Sequence, residues 1–238
     1  MLLSLSRINQ CVGQLIAGEY KPGSLLELGA GDGGLSYHLC RNGFKVTPTD
    51  YDPVFFKAPD LPCKKIDLDK AFPFSDNQFD YVVAVEVIEH LENHFFFIRE
   101  CYRVLKTGGF LILTTPNLLS LASRLKYFYT GFFPLCQRPN SEFDRIRFYQ
   151  HINPLNYYNI RYILHTNGFR ISKVTTDRFR RSAMALSFCY PLIYLFTAMT
   201  LMGEPDNRQQ KANKEIQKVL LSPELLFGRT LITIAQKV

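Results

Sequence analysis

Short apolar runs alternate along this chain with longer stretches in which apolar residues recur every three or four positions. The apolar runs predict strands near 24–28, 44–49, 62–66, 80–85, 109–115, 169–177 and 226–236. The longer amphipathic stretches predict helices near 3–18, 34–42, 93–105 and 156–166. Alternation of strand and helix is typical of an α/β domain with a mostly parallel sheet and helices on both faces. We therefore predict one such domain over residues 1–238.

A glycine-rich loop follows the first predicted strand. It reads Glu27-Leu28-Gly29-Ala30-Gly31-Asp32-Gly33-Gly34. Because glycine has no Cβ, such a loop lets a nucleotide-like ligand approach the backbone, and we expect its N–H groups to face that ligand. No Gly-Lys-Ser/Thr follows, which excludes a P-loop for phosphates. The carboxylate of Glu27 would repel a pyrophosphate but can hold the ammonium group of an amino-acid moiety.

Acidic residues end the next strands. Asp50 ends the second predicted strand, about one βαβ unit beyond the loop, where such folds place a carboxylate on ribose hydroxyls. Asp67 ends the third strand, and the fourth strand leads into Glu86-Val87-Ile88-Glu89-His90. Gly108 and Gly109 are a stop signal for the helix that precedes the fifth strand.

These motifs, in this order over roughly residues 20–178, resemble the class I S-adenosylmethionine (SAM)-dependent methyltransferases, in particular the type 11 and ubiquinone-pathway O-methyltransferase groups. The resemblance implies a Rossmann-like, seven-stranded, mostly parallel sheet whose last strand is antiparallel. It also implies that the loop holds the methionine part of SAM, Asp50 the ribose, and Asp67 with its neighbour the adenine. The full set of expected cofactor contacts is Glu27, Gly29, Ala30, Gly31, Asp50, Tyr51, Asp67, Leu68 and Val85.

Carboxylates and imidazoles are expected to meet where the fourth strand ends. Glu86, Glu89 and His90, with the distant His151, resemble the pattern of two metal-using branches of this superfamily, the ubiquinone-pathway O-methyltransferases and the small-RNA 2′-O-methyltransferases. His151 stands five residues before Asn156, the expected cap of a helix. Three interpretations stay open. These four residues hold Mg²⁺ or another divalent metal, or His151 or His90 acts as a metal-free base with Glu86 as a further catalytic candidate, or the imidazoles only position the acceptor.

Charge is distributed unevenly along the chain. Residues 1–120 carry 11 Lys and Arg against 14 Asp and Glu, whereas residues 121–181 carry 11 against 3. The basic excess therefore lies where the acceptor is expected to bind. A basic surface suits a phospholipid face, a phosphate-bearing substrate or RNA, and it is equally typical of a solvated face.

The six cysteines, at positions 11, 40, 63, 101, 136 and 189, form no Cys-x-x-Cys pair. Their spacing argues against a zinc site or a disulfide framework and favours a reducing, cytoplasmic compartment. Residues 1–10 lack the apolar core of a signal peptide, and we expect them to begin an amphipathic helix over the cofactor side.

An insertion after the fifth strand, 118–149, interleaves aromatic with basic residues. The aromatic residues are Tyr127, Phe128, Tyr129, Phe132, Phe133, Phe143, Phe148 and Tyr149, and the basic ones are Arg124, Lys126, Arg138, Arg145 and Arg147. Because the ligand crevice of an open α/β sheet lies at the carboxyl ends of its strands, we predict a lid and an acceptor site here. A hydrophobic cluster under a long loop is the alternative.

A second insertion, 179–225, separates the last two predicted strands. Its stretch 182–203 has 22 residues without a charge and follows Arg178, Arg180 and Arg181. This length could span a bilayer, but a chain that crosses once cannot return to pair within the same sheet. Contact with a membrane surface, a tunnel for an apolar substrate, a dimer contact and ordinary packing stay open.

The sequence therefore predicts a SAM-dependent methyltransferase that acts on oxygen of a small or lipid-linked acceptor. The expected location is the cytoplasm, with peripheral membrane contact as an option. The alternatives are an RNA 2′-O-methyltransferase and a non-catalytic, membrane-associated protein with the same fold. No RNA-binding module is recognisable, which disfavours a nucleic acid partner, and a homodimer stays open.

Overall fold

A seven-stranded sheet forms the centre of the computed structural model, which describes residues 6–133, 143 and 151–238. The strands are β1 (Ser24–Leu28), β2 (Lys45–Asp50), β3 (Lys64–Lys65), β4 (Phe79–Val85), β5 (Leu105–Pro116), β6 (Phe169–Thr176) and β7 (Thr230–Lys237). Their order is β3-β2-β1-β4-β5-β7-β6. The first five strands pair in parallel, and β7 is antiparallel to both β5 and β6. The predicted Rossmann-like fold class is confirmed.

Nine helices surround or extend the sheet in the described part of the chain. They are α1 (Arg7–Glu19), α2 (Gly34–Arg41), α3 (His94–Val104), α4 (Leu121–Thr130), α5 (Tyr157–Thr166), α6 (Arg181–Met184), α7 (Tyr190–Leu201), α8 (Asn207–Leu220) and α9 (Pro223–Phe227). Apolar side chains of α1 and α2 pack on one face of the sheet, and those of α3 and α5 pack on the other. The predicted cap of α5 is present, since Asn159 N–H donates to Asn156 Oδ1 at 3.0 Å.

The glycines of the fifth strand do not end a helix. Helix α3 ends at Val104, and β5 begins directly with the buried Leu105, so both Gly108 and Gly109 lie inside the strand. A Cβ at Gly109 would lie 2.9 Å from the carbonyl oxygen of Asp80 on the neighbouring β4. Close approach of two strands, and not the end of a helix, therefore requires this glycine.

The two insertions contain helices that the apolar pattern does not predict. In 118–149 the structure describes α4 and the residues up to 133, whereas 134–142 and 144–150, with Arg138, Arg145, Arg147, Phe148 and Tyr149, lie outside the described residues. In 179–225 the chain forms α6 to α9. The predicted start of the last strand at 226 is wrong, because Ser222 caps α9 and Pro223 occupies its first position.

Helix α7 is the most apolar helix of the described chain and packs poorly. None of its residues is buried, and Leu192, Phe196 and Met199 are 60%, 62% and 57% exposed. Within the described residues, we find no helix of the length and apolar character needed to cross a bilayer. The apolar stretch 182–203 therefore ends up as short helices on the surface.

Candidate functional site

A cavity of about 690 Å³ opens at the carboxyl ends of β1, β2 and β4. This is the point where the strand order reverses, at which open α/β sheets bind their ligands. Its wall consists of Gly29, Gly31, Asp50, Tyr51, Asp52, Phe55, Asp67, Leu68, Asp69, Val85, Glu86, Val87, His90 and Leu91. The wall includes every expected cofactor contact except Glu27 and Ala30. Its volume suits a small organic ligand or cofactor.

Three glycines shape the floor of this cavity. Gly29 has a φ of +76°, and a Cβ there would lie 2.5 Å from Val87 Cγ2. Gly33 has a φ of +83°, and a Cβ there would lie 2.7 Å from the ring of Phe56. Gly31, with a φ of +55°, has no atom within 4 Å of such a Cβ. Packing therefore requires glycine at 29 and 33, whereas glycine at 31 keeps the space above the loop open.

The loop does not present its N–H groups as expected. The N–H groups of Gly29 and Ala30 both donate to the carbonyl oxygen of Thr49 at 2.9 Å. Gly31 N–H donates to Asp50 Oδ2 at 2.8 Å, and Gly33 N–H donates to the carbonyl oxygen of Ala30. These four donors bind the loop to itself and to β2. Such a loop is a poor cradle for phosphate, which agrees with the absence of a P-loop motif.

Five carboxylates line the cavity, and no lysine or arginine is part of its described wall. Asp50 is oriented by two backbone groups, since its Oδ1 also accepts a hydrogen bond from Asp52 N–H at 3.0 Å. Asp67 accepts a hydrogen bond from Asp69 N–H and forms an ion pair with Lys70 at 3.0 Å. Carboxylates concentrated in one crevice attract a cationic ligand.

Glu27 lies behind the glycine loop. Its side chain is buried, and its carboxylate accepts a hydrogen bond from the hydroxyl of Ser36 on α2. Burial raises the pKa of Glu27 to about 8, although the Ser36 hydrogen bond acts in the opposite direction. The carboxylate therefore contributes to the site from beneath the loop and not from the cavity wall.

Glu86 ends β4 in a strained conformation. Its φ is +53°, in the left-handed region that non-glycine residues avoid, and its N–H donates to Thr114 Oγ1 at 2.9 Å. Burial raises the pKa of its carboxyl, while the positive charge of Arg229 lowers it. Backbone strain of this kind concentrates at functional sites, where it holds a side chain in place.

Three of the four predicted metal ligands lie together. One ligand atom each of Glu89, His90 and His151 lies within 4.8 Å of the others, and the two imidazole rings are 4.8 Å apart between centroids. Asn153 N–H donates to the carbonyl oxygen of Glu89 at 3.1 Å, which holds the His151 segment beside the end of β4. Glu86, the fourth predicted ligand, lies outside this group and interacts with Arg229.

The carboxyl group of Glu89 is buried with little hydrogen bonding. Glu89 is 0% exposed, and neither carboxylate oxygen has a hydrogen bond of good geometry to any residue that the structure describes. Burial raises the pKa of Glu89 to about 8, and its own N–H and the hydroxyl of Thr115 offset this only in part. Burial, and then the neighbouring His90, lower the pKa of His151, so this imidazole is neutral at pH 7.

The sequence did not single out five residues of the wall. They are Asp52, Phe55, Asp69, Val87 and Leu91. The sequence could have indicated Asp69 as a wall residue, since it lies two residues after Asp67. Its Oδ1 accepts hydrogen bonds from the backbone N–H groups of Glu92 and Asn93, and so ties the end of β3 to the start of α3.

Comparison with known proteins finds similarity to methyltransferases. A family model described as a methyltransferase domain matches residues 26–113. The mitochondrial ubiquinone biosynthesis O-methyltransferase of Mus musculus is 36% identical over 42% of this chain and 30% of that protein. A probable SAM-dependent methyltransferase of Mycobacterium tuberculosis is 32% identical over 49% of this chain and 44% of that protein. The matched region thus spans less than half the length of either relative.

Solved structures share the fold along nearly the whole chain. A SAM-dependent methyltransferase from Archaeoglobus fulgidus superposes with a TM-score of 0.62 at 18% identity, over 98% of this chain and 95% of that one. One from Mesorhizobium loti gives 0.52 at 15% identity, over 90% and 91%. The chain thus contains a region, residues 26–113, that matches a methyltransferase domain, and it shares its fold and strand order with solved SAM-dependent methyltransferases.

Proposed function

We propose that this protein transfers a methyl group from SAM to an oxygen atom of a small or lipid-linked acceptor. The observation that carries the proposal is the acidic cavity above the glycine loop. SAM has a sulfonium and an ammonium group against one carboxylate, and its net charge is positive. A described wall with five carboxylates and no lysine or arginine is complementary to that charge.

Different residues of the site contact different parts of SAM. Gly29 and Gly31 leave room for the methionine part, and Glu27 lies beneath the loop, where the ammonium group of bound SAM would lower its raised pKa and favour the carboxylate. Asp50, fixed by two backbone N–H groups, has lone pairs left to accept hydrogen bonds from the ribose hydroxyls. Asp67 and Leu68 contact the adenine, and Tyr51 and Val85 complete the wall.

Methyl transfer requires alignment more than activation. The acceptor oxygen forms a bond to the methyl carbon while the carbon–sulfur bond breaks, and the bonding electrons leave with sulfur. Holding the three atoms in line supplies most of the catalysis, and a hydroxyl acceptor also benefits from loss of its proton to a base. The proposed base for that proton is the neutral His151, which packs against the wall residue His90, and Glu86 at the cavity wall is the further candidate.

The same group of residues fits a divalent metal ion. Glu89 offers two carboxylate oxygens without hydrogen bonds of good geometry, and the two imidazoles supply further ligands. Neighbouring ligands of such an ion stand about 3 Å apart, so these side chains would have to move closer together than 4.8 Å. A metal bound here would lower the pKa of an acceptor hydroxyl. Glu89, His90 and His151 would hold it, and Glu86 would flank it.

The apolar stretch 182–203 supports contact with a membrane surface. Helix α7 leaves its apolar side chains in solvent, and α8 beside it carries the exposed cations Arg208, Lys211, Lys214 and Lys218. An apolar helix next to exposed cations is suited to lie in the interface of an anionic membrane. Such a contact would bring a lipid-linked acceptor to the active site. The cytoplasmic location of the protein and the formation of a homodimer stay predictions.

Two other functions receive less support. The acidic cavity with its oriented Asp50 argues against a non-catalytic binding protein, which would have no need of it. The exposed apolar helix α7 has no role in an RNA 2′-O-methyltransferase. Nucleic acid therefore remains a disfavoured partner.

The nature of the accepting atom can be tested with matched acceptors. We expect methyl-labelled SAM to transfer its label to phenols and catechols, and more rapidly as an apolar tail is lengthened. The corresponding anilines serve as the control, since they differ only in the accepting atom. Label found on the amines and on none of the hydroxyl compounds would contradict transfer to oxygen.

A further inference from the structure

Three arginines meet at the edge of the sheet where the parallel strands end. The antiparallel pairing of β6 with β7 continues beyond the two strands through an isolated bridge. There Arg229 N–H donates to the carbonyl oxygen of Arg178 at 3.0 Å, and Arg180 N–H donates to that of Phe227 at 2.8 Å. Backbone hydrogen bonds therefore fix the positions of Arg178, Arg180 and Arg229 relative to one another.

One member of this arginine cluster, Arg229, interacts with a residue of the cavity wall, Glu86. Thr230, which follows Arg229, pairs with Pro116 at the end of β5. The cluster thus lies at the same edge of the sheet as Glu86, a wall residue that ends β4. The charge of Arg229 acts on the carboxyl of Glu86, partly offsetting the effect of burial on its pKa.

Two of the three guanidinium groups lack partners. Neither Arg180 nor Arg229 has a side-chain hydrogen bond, or a carboxylate within 4.0 Å, among the residues that the structure describes. Both are only half exposed. One carboxylate oxygen of the nearby Asp177 accepts a hydrogen bond from Thr230 N–H at 3.1 Å, and the other lies 3.8 Å from Arg178 Nε. Positive charge thus exceeds what the described carboxylates can neutralise.

Half-buried guanidinium groups without partners point to an anionic ligand. Each guanidinium offers five N–H donors in a planar fork, which matches the two oxygens of a carboxylate or phosphate. Mutual repulsion has a physical consequence here, because burial and the charges of Arg229 and Arg178 lower the pKa of Arg180. An oxyanion bound between the side chains would remove that repulsion.

We propose that Arg180 and Arg229, flanked by Arg178, bind an oxyanion on the acceptor, a carboxylate or a phosphate next to the hydroxyl that receives the methyl group. None of the three arginines belongs to the described wall of the cavity, so we assign them to the acceptor and not to SAM. The identification of this ligand as the methyl acceptor rests on the proposed function. Its binding test does not depend on turnover.

Inorganic phosphate and benzoate are the probes, titrated by calorimetry into the full chain. The variants are Arg180→Gln with Arg229→Gln, and the control is Arg170→Gln, an exposed position at the opposite end of β6. We expect at least one probe to bind the wild type and the control equally, and the double variant about tenfold more weakly or worse. The probe that binds distinguishes a phosphate from a carboxylate.

SAM affinity, measured on the same samples, reports on the proposed function separately and should change less than about twofold in the double variant. If the double variant does not fold, Arg180→Lys with Arg229→Lys replaces it, and loss of the planar forks should still weaken binding of the probe. Absence of binding of both probes to the wild type, or unchanged binding in the variants, would overturn the proposal. The proposal would also be overturned if the double variant kept its binding of the probes but no longer bound anionic vesicles. The arginines would then contact lipid headgroups and not the acceptor.

Discussion

Two buried glutamates illustrate how the surroundings decide what a residue does in this protein. Glu27 and Glu89 both have a pKa raised to about 8 by burial. Glu27 accepts a hydrogen bond from Ser36 and supports the loop, whereas Glu89 has no hydrogen bond of good geometry in the described chain. A buried acceptor without a partner costs about 1–3 kcal/mol. Glu89 therefore remains available to a proton, a metal ion or a polar group of the substrate.

Residue spacing predicted part of this site. Glu89, His90 and His151 do come together, as the pattern indicated. The sequence could not indicate that Glu86 would stay outside the group, because its left-handed backbone depends on hydrogen bonds to Thr114 on the next strand. Partners of this kind are set by tertiary packing, which local sequence does not specify.

Replacing His151 tests its proposed role as a base. We expect His151→Ala to lower turnover by about a hundredfold, as is typical for loss of a general base, with SAM affinity unchanged. His165→Ala on α5, an exposed position away from the site, is the matched control and should leave turnover unchanged. An effect of His151→Ala confined to SAM affinity would place this residue in the cofactor site.

The pH profile of the same enzymes follows from the direction of the pKa shift. A base acts only when neutral, and the pKa of His151 lies below its ordinary value of 6.5. Protonation of His151 should therefore lower turnover only below pH 6.5, and the difference between the wild type and His151→Ala should not shrink as pH falls from 8 to 6.5. A chelator distinguishes the metal hypothesis, since metal-dependent turnover would disappear on chelation and be restored by Mg²⁺.

At the scale of elements, hydrophobic periodicity was informative for the strands and for the helices that pack on the sheet. It predicted β1, β2 and β4 and helices α2, α3 and α5 to within a few residues. It did not predict α4, α6, α7 or α9, because they do not alternate with strands and α7 is apolar on every side. The start signal of α9, Ser222 followed by Pro223, is nevertheless present in the sequence.

The exposed helix α7 gives a prediction at this scale. The protein should float with anionic vesicles, and Leu192→Glu with Phe196→Glu should abolish flotation, because two charges replace side chains that are 60% and 62% exposed. Gln10→Glu with Gln14→Glu adds the same charge at exposed positions on α1 and leaves α7 and α8 unchanged, so this control should still float.

Flotation that persists in the α7 variant, or is absent in the wild type, would refute membrane contact through 182–203. Sedimentation of the same samples without vesicles tests the dimer alternative. A wild-type dimer that becomes monomeric only in the α7 variant would assign the helix to a contact between two copies.

At the scale of the whole molecule, the strand order and the acidic cavity agree on one kind of ligand. The order of the parallel strands reverses between β1 and β4, and five carboxylates lie at that point. The order of motifs predicted this arrangement, since acidic residues end successive parallel strands. Arg229 is far from Arg178 and Arg180 in the chain, and only the pairing of β6 with β7 and its continuation bring it beside them. No spacing rule could have predicted that cluster.

Calorimetric titration of SAM and S-adenosylhomocysteine, with Mg²⁺ and with a chelator, tests the central claim most directly. The account predicts binding in both conditions, because the cavity wall that contacts the cofactor includes no metal ligand other than His90. Asp50→Asn should weaken binding by about tenfold or more, and Asp60→Asn, at an exposed position outside the wall, should not. A folded protein that binds neither compound in either condition would contradict the account.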